Sequence, residues 1–108
     1  MTMHALTIPA LPADRRVRIA LVGCGRISRN HIRAMVMHHQ RCELVALCDV
    51  QAERLQQALA LCAAEAAEQP GFNRSPRQFA AYNDLLEAVR SGELPIDLVV
   101  LSTPSGFH

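Results

Sequence analysis

Two glycines beside an apolar segment form the part of the sequence best suited to chemistry. Gly23 and Gly25 follow the short apolar run Val17 to Val22, and a helical pattern opens directly after them at Arg26. The first glycine allows a sharp turn, and the second leaves the backbone open to a ligand. Because the first N–H groups of a helix carry partial positive charge, this arrangement suits a pyrophosphate. Ser28 replaces the third small residue of the usual motif, which weakens the pattern without breaking it.

An acid stands where a dinucleotide site needs one. Asp49 ends a second apolar run, Glu43 to Cys48, at about two dozen residues beyond Gly25. At this position a carboxylate accepts hydrogen bonds from the adenosine ribose, and it repels a 2′-phosphate, so NAD is favoured over NADP. No arginine directly follows it, and Arg54 lies further into the next helix. The alternative interpretation is that Asp49 caps the helix that begins near Gln51.

Strands and helices alternate along the chain and would position these residues. Helical periodicity predicts helices over Arg26–His39, over Gln51–Glu68, and from Asn83 or Asp84 to Ser91-Gly92. Apolar runs predict strands at Val17–Val22, Glu43–Cys48, Phe79–Tyr82 and Ile96–Ser102. This alternation predicts an α/β fold, a Rossmann-type parallel sheet flanked by helices. The sheet would be incomplete, holding the first four strands of a doubly wound domain, with the last strand beside the first.

The two ends of the chain suggest its domain organisation. Residues 1–15 contain Pro9 and Pro12 without periodicity, which predicts a flexible leader. Residues 16–108 would form the N-terminal portion of a dinucleotide-binding domain, with the C-terminal substrate domain absent. The last strand would leave a long apolar edge exposed, and such edges promote aggregation. We therefore expect either the front portion of a longer enzyme or a partner chain over that edge.

Composition limits the possible functions. Half of the 108 residues are hydrophobic and the net charge is +1, which suits one compact domain. All eleven basic residues are arginine, so this chain supplies no lysine to any mechanism. Seven of them lie between Arg15 and Arg41 with no acid among them, and the alternative interpretation of this cluster is a nucleic-acid surface. The scarcity of aromatic side chains for base stacking makes nucleic acid an unlikely partner.

Cysteine and histidine positions indicate neither a metal site nor a disulfide framework. The four cysteines show no CxxC spacing, so we expect reduced, packed thiols. His31 falls on the inward stripe of the first helix, which predicts a partly buried histidine with satisfied hydrogen bonds and not a catalytic one. The chain has no signal peptide and no apolar run near the roughly 20 residues of a membrane span. These features predict a cytoplasmic protein without membrane contact, and we also expect a homo-oligomer.

Four segments together resemble a known family. They are VRIALVGCGRISRNH at 17–31, ELVALCD at 43–49, YNDLL at 82–86 and IDLVVLSTPSGFH at 96–108. In this order they resemble the N-terminal nucleotide-binding domain of the Gfo/Idh/MocA oxidoreductases, from about Arg16 to the last residue. Within that family they look most similar to dehydrogenases that oxidise the 3-hydroxyl of UDP-N-acetylglucosaminuronate.

The resemblance implies an activity and a set of roles. NAD would accept a hydride from the hydroxyl carbon of a sugar or nucleotide sugar. The residues implied for the pyrophosphate are Gly23, Gly25, Arg26 and Ile27, with Asp49 for the ribose. Those implied for the nicotinamide end are Ser102, Thr103, Pro104 and His108. For Thr103-Pro104 the alternative is a strand-terminating turn, and for His108 a frayed terminus.

The same resemblance implies that the chemistry itself lies elsewhere. The family's catalytic lysine stands in a Glu-Lys-Pro motif that this sequence does not contain. We therefore assign no catalytic residue to this chain and expect no turnover from it alone. A second hypothesis is that the chain is a stand-alone nucleotide-binding regulatory module. The same glycine turn and Asp49 would also bind the nucleotide in that case.

Overall fold

The computed structural model describes residues 4–7 and 14–102, which form five strands and three helices. The strands are β1 (His4–Thr7), β2 (Val17–Val22), β3 (Cys42–Cys48), β4 (Arg77–Phe79) and β5 (Leu98–Leu101). The helices are α1 (Ser28–Met37), α2 (Ala52–Glu68) and α3 (Tyr82–Arg90).

All five strands belong to one sheet, in the order β1-β5-β2-β3-β4. β2 pairs in parallel with β5 on one side and with β3 on the other, and β3 pairs in parallel with β4. β3 and β4 thus follow on one side of β2, and the chain then returns to place β5 on the other side. The carboxyl end of β2 is therefore a topological switch point. The predicted α/β class and the placement of the last strand beside the first predicted one are confirmed.

β1 corrects the prediction for the leader. Residues His4–Thr7 pair antiparallel with β5, with His4 opposite Leu101 and Thr7 opposite Leu98. The prediction of a flexible leader over residues 1–15 did not include this strand, and the remaining residues before 14 lie outside the described part of the chain. Pairing along a sheet edge satisfies main-chain groups and needs no side-chain periodicity, so the sequence pattern did not reveal it. The edge of β5 is therefore covered by this chain itself.

Helices cover both faces of the sheet. Ala20 and Leu21 are neighbours in β2 that point to opposite faces, and neither has exposed surface. Their burial agrees with a parallel strand covered on both sides. One face packs against α1 and α2 through Ile32, Met35, Leu55, Ala58 and Cys62, and the other packs against α3 through Leu85 and Ala88. No helix in the described part of the chain is long and apolar enough to cross a membrane.

Several element boundaries differ from the sequence prediction. α1 begins at Ser28 and not at Arg26, because the intervening residues form a turn in which the Ser28 N–H donates to the Gly25 carbonyl at 3.0 Å. The third predicted strand lies earlier, at Arg77–Phe79, and Tyr82 is the first residue of α3. The ladder with β3 ends where Cys48 lies opposite Phe79, so the strand does not continue.

A buried carboxylate fixes the amino end of β2. Asp97 precedes β5, is 6% exposed, and accepts two hydrogen bonds from the Arg15 guanidinium, at 2.6 and 2.9 Å. It also accepts from the main-chain N–H of Arg18 at 2.8 Å, while its own N–H donates to the Arg18 carbonyl at 2.8 Å. These bonds join the starts of β2 and β5 and thereby set the relative position of their carboxyl ends.

The Asp97 contacts make stability depend on pH in acid. Hydrogen bonding from Arg15 holds the pKa of the Asp97 carboxyl well below its usual range. Because the folded-state pKa is depressed, the stabilisation is complete above the ordinary aspartate pKa of about 4 and is lost as the pH falls below it. We expect Asp97→Asn to lower the free energy of unfolding by about 2 kcal/mol at neutral pH, since it weakens hydrogen bonds to a charged group.

Urea unfolding from about pH 7 to about pH 3 measures this effect. The difference between wild type and Asp97→Asn should shrink towards acid. Glu87→Gln is the matched control, because Glu87 forms an exposed pair with Arg90 and should contribute less than about 1 kcal/mol. A difference that stays constant across this pH range would contradict the role given to the Asp97 charge.

Candidate functional site

The glycine turn lies at the carboxyl end of β2 and bends as predicted. Gly23 has a φ of 95°, a backbone conformation that residues other than glycine rarely adopt. Its N–H donates to the Cys48 carbonyl at 2.8 Å. Ser28, which departs from the usual motif, is 1% exposed, and its hydroxyl donates to the Gly25 carbonyl at 2.5 Å. Serine therefore fits the tight packing between turn and strand and adds a hydrogen bond within the turn.

Main-chain amides remain available at the start of α1. The N–H groups of Ser28, Arg29 and Asn30 donate to carbonyls three residues earlier, at 3.0 to 3.4 Å. Among the described residues, nothing accepts from the N–H groups of the three residues before them, Gly25, Arg26 and Ile27. The first turn of α1 contains no acid and no side-chain cap. These amides and the positive end of the helix dipole can therefore bind an anion.

Asp49 binds the glycine turn directly. Its carboxylate accepts from the Cys24 N–H and from the Gln51 N–H, each at 2.8 Å, and the residue is 8% exposed. The second bond is a local turn that ends at Gln51, the N-cap residue of α2, and no side chain caps that helix. Each carboxylate oxygen has two lone pairs and uses one here, which leaves acceptor capacity for a ligand hydroxyl.

A crevice of about 430 Å³ brings most of the predicted residues together. This volume is within the range of small-molecule sites. Six of the nine predicted site residues line it, namely Gly23, Gly25, Arg26, Ile27, Asp49 and Ser102. The other three, Thr103, Pro104 and His108, lie outside the described residues.

The crevice also contains residues that sequence reasoning missed. Val50 is 81% exposed and Tyr82 is 36% exposed, and both line the crevice near Asp49, where they offer apolar surface. Arg54 lines it as well, and its Nη1 is only 3.7 Å from the position that a Cβ on Gly25 would occupy. Val50 could have been found as the neighbour of Asp49, whereas Arg54 appeared too far along the chain.

Two buried polar atoms in the described part of the chain have no hydrogen-bond partner. They are Nε2 of His31 and Oγ of Ser102, in residues that are 5% and 4% exposed. His31 is buried, but the prediction that its hydrogen bonds are satisfied was wrong, since its Nε2 has no partner. Burial lowers the pKa of its imidazole, which favours the neutral form. Ser102 lines the crevice, so its hydroxyl has hydrogen-bonding capacity where the carboxyl ends of β2 and β5 meet.

The cysteines are structural. All four are free, and three of them are buried, in agreement with the predicted reduced thiols. Burial raises the pKa of Cys24 to about 12, with the charge of Asp49 as a second cause, and burial raises that of Cys62 to about 12. Both thiols therefore stay protonated and are poor nucleophiles or metal ligands. The described residues contain no group of three or more side chains suited to a metal ion.

Most of the arginine cluster is engaged in the fold. Arg15 and Arg18 pair with Asp97, Arg16 pairs with Glu43, and Arg33 pairs with Glu65. These four belong to the seven arginines that suggested a nucleic-acid surface. Their three acidic partners come from other segments, so part of the local excess of positive charge in the sequence is balanced in three dimensions.

Known structures share this architecture. The dehydrogenase WlbA from Chromobacterium violaceum, solved with NADH and UDP-GlcNAcA, is 35% identical, with a TM-score of 0.65 over 95% of this chain and 25% of its own. WlbA from Bordetella pertussis, solved with the same two ligands, is 42% identical, with a TM-score of 0.58 over 87% of this chain and 24% of its own. The scyllo-inositol dehydrogenase of Lactobacillus casei, solved with NAD(H) and scyllo-inositol, is 24% identical with a TM-score of 0.59, and it supports the fold alone.

This chain spans about a quarter of the length of the two WlbA structures. No curated protein sequence matches it. The sequence profile of the GFO_IDH_MocA oxidoreductases, described as an oxidoreductase family with an NAD-binding Rossmann fold, matches residues 17–108. The match includes the glycine turn, Asp49 and the four parallel strands, so the chain belongs to the Gfo/Idh/MocA oxidoreductase family.

Proposed function

We propose that this chain is the NAD-binding portion of an oxidoreductase that acts on a sugar or nucleotide sugar. The observation that carries the proposal is the set of main-chain amides at Gly25, Arg26 and Ile27, which are without acceptors in the described structure and border a crevice that also contains Asp49. The family match to an NAD-binding fold supports the choice of cofactor.

The pyrophosphate would bind at the glycine turn. A Cβ added to Gly25 would meet only Arg54, at 3.7 and 3.8 Å, so the space in front of this residue belongs to the crevice. Two phosphate groups need donors and positive charge, which the amides, the α1 dipole and the Arg26 side chain supply. Gly23 allows the turn that aims these amides at the ligand.

The adenosine would lie beside Asp49. Its ribose hydroxyls would donate to the carboxylate, whose orientation is already fixed by the N–H groups of Cys24 and Gln51. The adenine would contact Val50 and Tyr82, whose apolar surface is exposed in the crevice. Because the carboxylate is already oriented, it loses little conformational entropy when the ligand binds, which favours affinity.

The nicotinamide would extend towards β5. Ser102 would bind there through its unpartnered hydroxyl, followed by Thr103, Pro104 and His108. When bound, NAD would accept a hydride from the hydroxyl carbon of the substrate. Both WlbA structures contain UDP-GlcNAcA, which favours a nucleotide sugar over a free sugar as the substrate.

The chain would bind the cofactor without completing the reaction. Alcohol oxidation needs a base that takes the hydroxyl proton as the hydride leaves. The sequence has no lysine, and the imidazole of His31 is buried. We therefore expect the purified 108-residue chain to bind NAD and to produce no NADH from UDP-GlcNAcA.

Asp49→Ala tests the ribose contact. Wild type should bind NAD by calorimetry, and the variant should bind at least about tenfold more weakly, or about 1.4 kcal/mol, because two charge-assisted hydrogen bonds are lost. Glu68→Ala, which removes an exposed acid at the end of α2, is the control and should bind like wild type. Circular dichroism checks that both variants are folded. Equal NAD affinity for Asp49→Ala and wild type would remove Asp49 from the site.

Two glycine variants separate folding from binding. Gly25→Ala should fold normally, because its Cβ meets Arg54 only at ordinary contact distance, but the methyl group should weaken NAD binding. Gly23→Ala should lower the free energy of unfolding by about 1–2 kcal/mol, since alanine is strained at positive φ. Thermal melts and NAD titrations of both variants measure the contrast. Unchanged NAD binding by Gly25→Ala would place the pyrophosphate elsewhere.

A further inference from the structure

β1 occupies an unusual place in the sheet. Its residues, His4–Thr7, lie at the end of the strand order beside β5 and pair with that strand antiparallel. The parallel strands β4, β3, β2 and β5 lie in the order of strands 3-2-1-4 of a doubly wound sheet, in which the next place belongs to a fifth strand. A segment from the start of the chain therefore fills the place of a strand that a doubly wound fold takes from later in the sequence.

Main-chain pairing is sufficient to hold a strand in this position. The edge of a strand presents N–H and C=O groups to one side, and a neighbour that runs in either direction can pair with them. One edge accepts one strand at a time, so β1 excludes any other strand from the outer edge of β5. Because β1 has four residues and lies at the end of the sheet, few hydrogen bonds must break for it to leave.

The connection after β1 limits the length of this strand. Residues 8–13 follow it and include Pro9 and Pro12. Proline has no N–H group, so it cannot continue a ladder of hydrogen bonds at its position. A connection of this length spans at most about 20 Å, whereas neighbouring strands are about 5 Å apart. It is therefore long enough for β1 to reach β5 of its own chain or of a second copy placed beside it.

The two edges of the sheet are protected differently. At the far edge, β4 has three residues, it follows Pro76, and its Arg77 forms an ion pair with Glu93. A short strand, a proline and a charge all oppose pairing with another chain. β5 consists of the apolar sequence LVVL at Leu98–Leu101, which is well suited to a strand, and β1 covers its outer edge. Release of β1 would therefore expose the edge with the greater tendency to pair.

We propose that β1 is a detachable cap on β5, and that the exposed edge accepts β1 of a second copy of this chain to give a strand-swapped dimer. The second copy is the favoured occupant because its β1 can form with β5 the same pairing that exists within one chain. Exchange of an identical element costs little, since the contacts of the monomer are formed again in the dimer. The exchange is reciprocal, so each copy caps the other, and it does not depend on NAD binding.

Cysteine cross-linking between two single variants tests the swap. Ala5 lies opposite Val100 in the ladder, so cysteines at these positions are within reach of a disulfide. In a mixture of Ala5→Cys and Val100→Cys, a disulfide between positions 5 and 100 can form only between two chains. After oxidation, mass spectrometry should detect this link, and its yield should rise at least about threefold between about 10 and about 300 µM protein, by mass action. Analytical ultracentrifugation of wild type should show the corresponding dimer.

Three controls accompany the mixture. Ala5→Cys mixed with Leu86→Cys should give no such link, because Leu86 is exposed on α3 and not on the edge of the sheet. Wild type oxidised in the same way measures the disulfides formed by its four native cysteines. The double variant Ala5→Cys/Val100→Cys reports pairing within one chain, and circular dichroism checks that every variant is folded.

Three results would overturn the proposal. If the double variant closes its disulfide within one chain at every concentration and the mixture forms no link, β1 is a permanent strand of the monomer. If neither sample forms the link, β1 does not pair with β5. A dimer in ultracentrifugation without the link between positions 5 and 100 would place the dimer contact elsewhere. NAD titrations are separate from these measurements, so failure of the swap leaves the proposed function unchanged.

Discussion

The hydrogen bond from the Cys24 amide to the Asp49 carboxylate holds the site together. The bond is 2.8 Å long and joins the glycine turn to Asp49, the residue that follows β3. Asp49 itself is only 8% exposed. A charged acceptor with little access to water makes a strong, directional bond. Because this bond fixes the turn, Gly25, Arg26 and Ile27 line the crevice in the absence of a ligand. The fold itself sets this geometry, so a ligand that binds here would need to order little of the turn.

β2 is held in this way at both of its ends. Asp97, which precedes β5, binds the Arg18 amide at the amino end, and Asp49, which follows β3, binds the Cys24 amide beyond the carboxyl end. Each carboxylate comes from the segment of a neighbouring parallel strand. Parallel strands cannot be joined by short hairpins, so their relative positions need other constraints. These two contacts fix β2 against both neighbours, and the crevice opens where the three strands end.

Much of this arrangement follows from local sequence. The strand, turn and helix between Val17 and Met37 could be predicted from an apolar run, two glycines and a helical periodicity. Each of these features has a short-range physical cause. Asp49 was found in the same way, from its place after an apolar strand. β1 was not, since an edge strand pairs through its main chain and leaves no pattern in the side chains. The third strand was misplaced because it has only three residues, two of them polar.

Arg54 shows why the net charge of the crevice could not be predicted from Asp49 alone. Asp49 suggested a site that rejects additional negative charge, and Arg54 seemed too distant to matter. The Asp49 carboxylate, however, also binds the Gln51 amide and so sets the start of α2. Three residues later in that helix, the long arginine side chain extends back over Gly25. The contact that sets the start of α2 thus also determines where Arg54 lies, and Asp49 and Arg54 line the same crevice although they are five residues apart in the sequence.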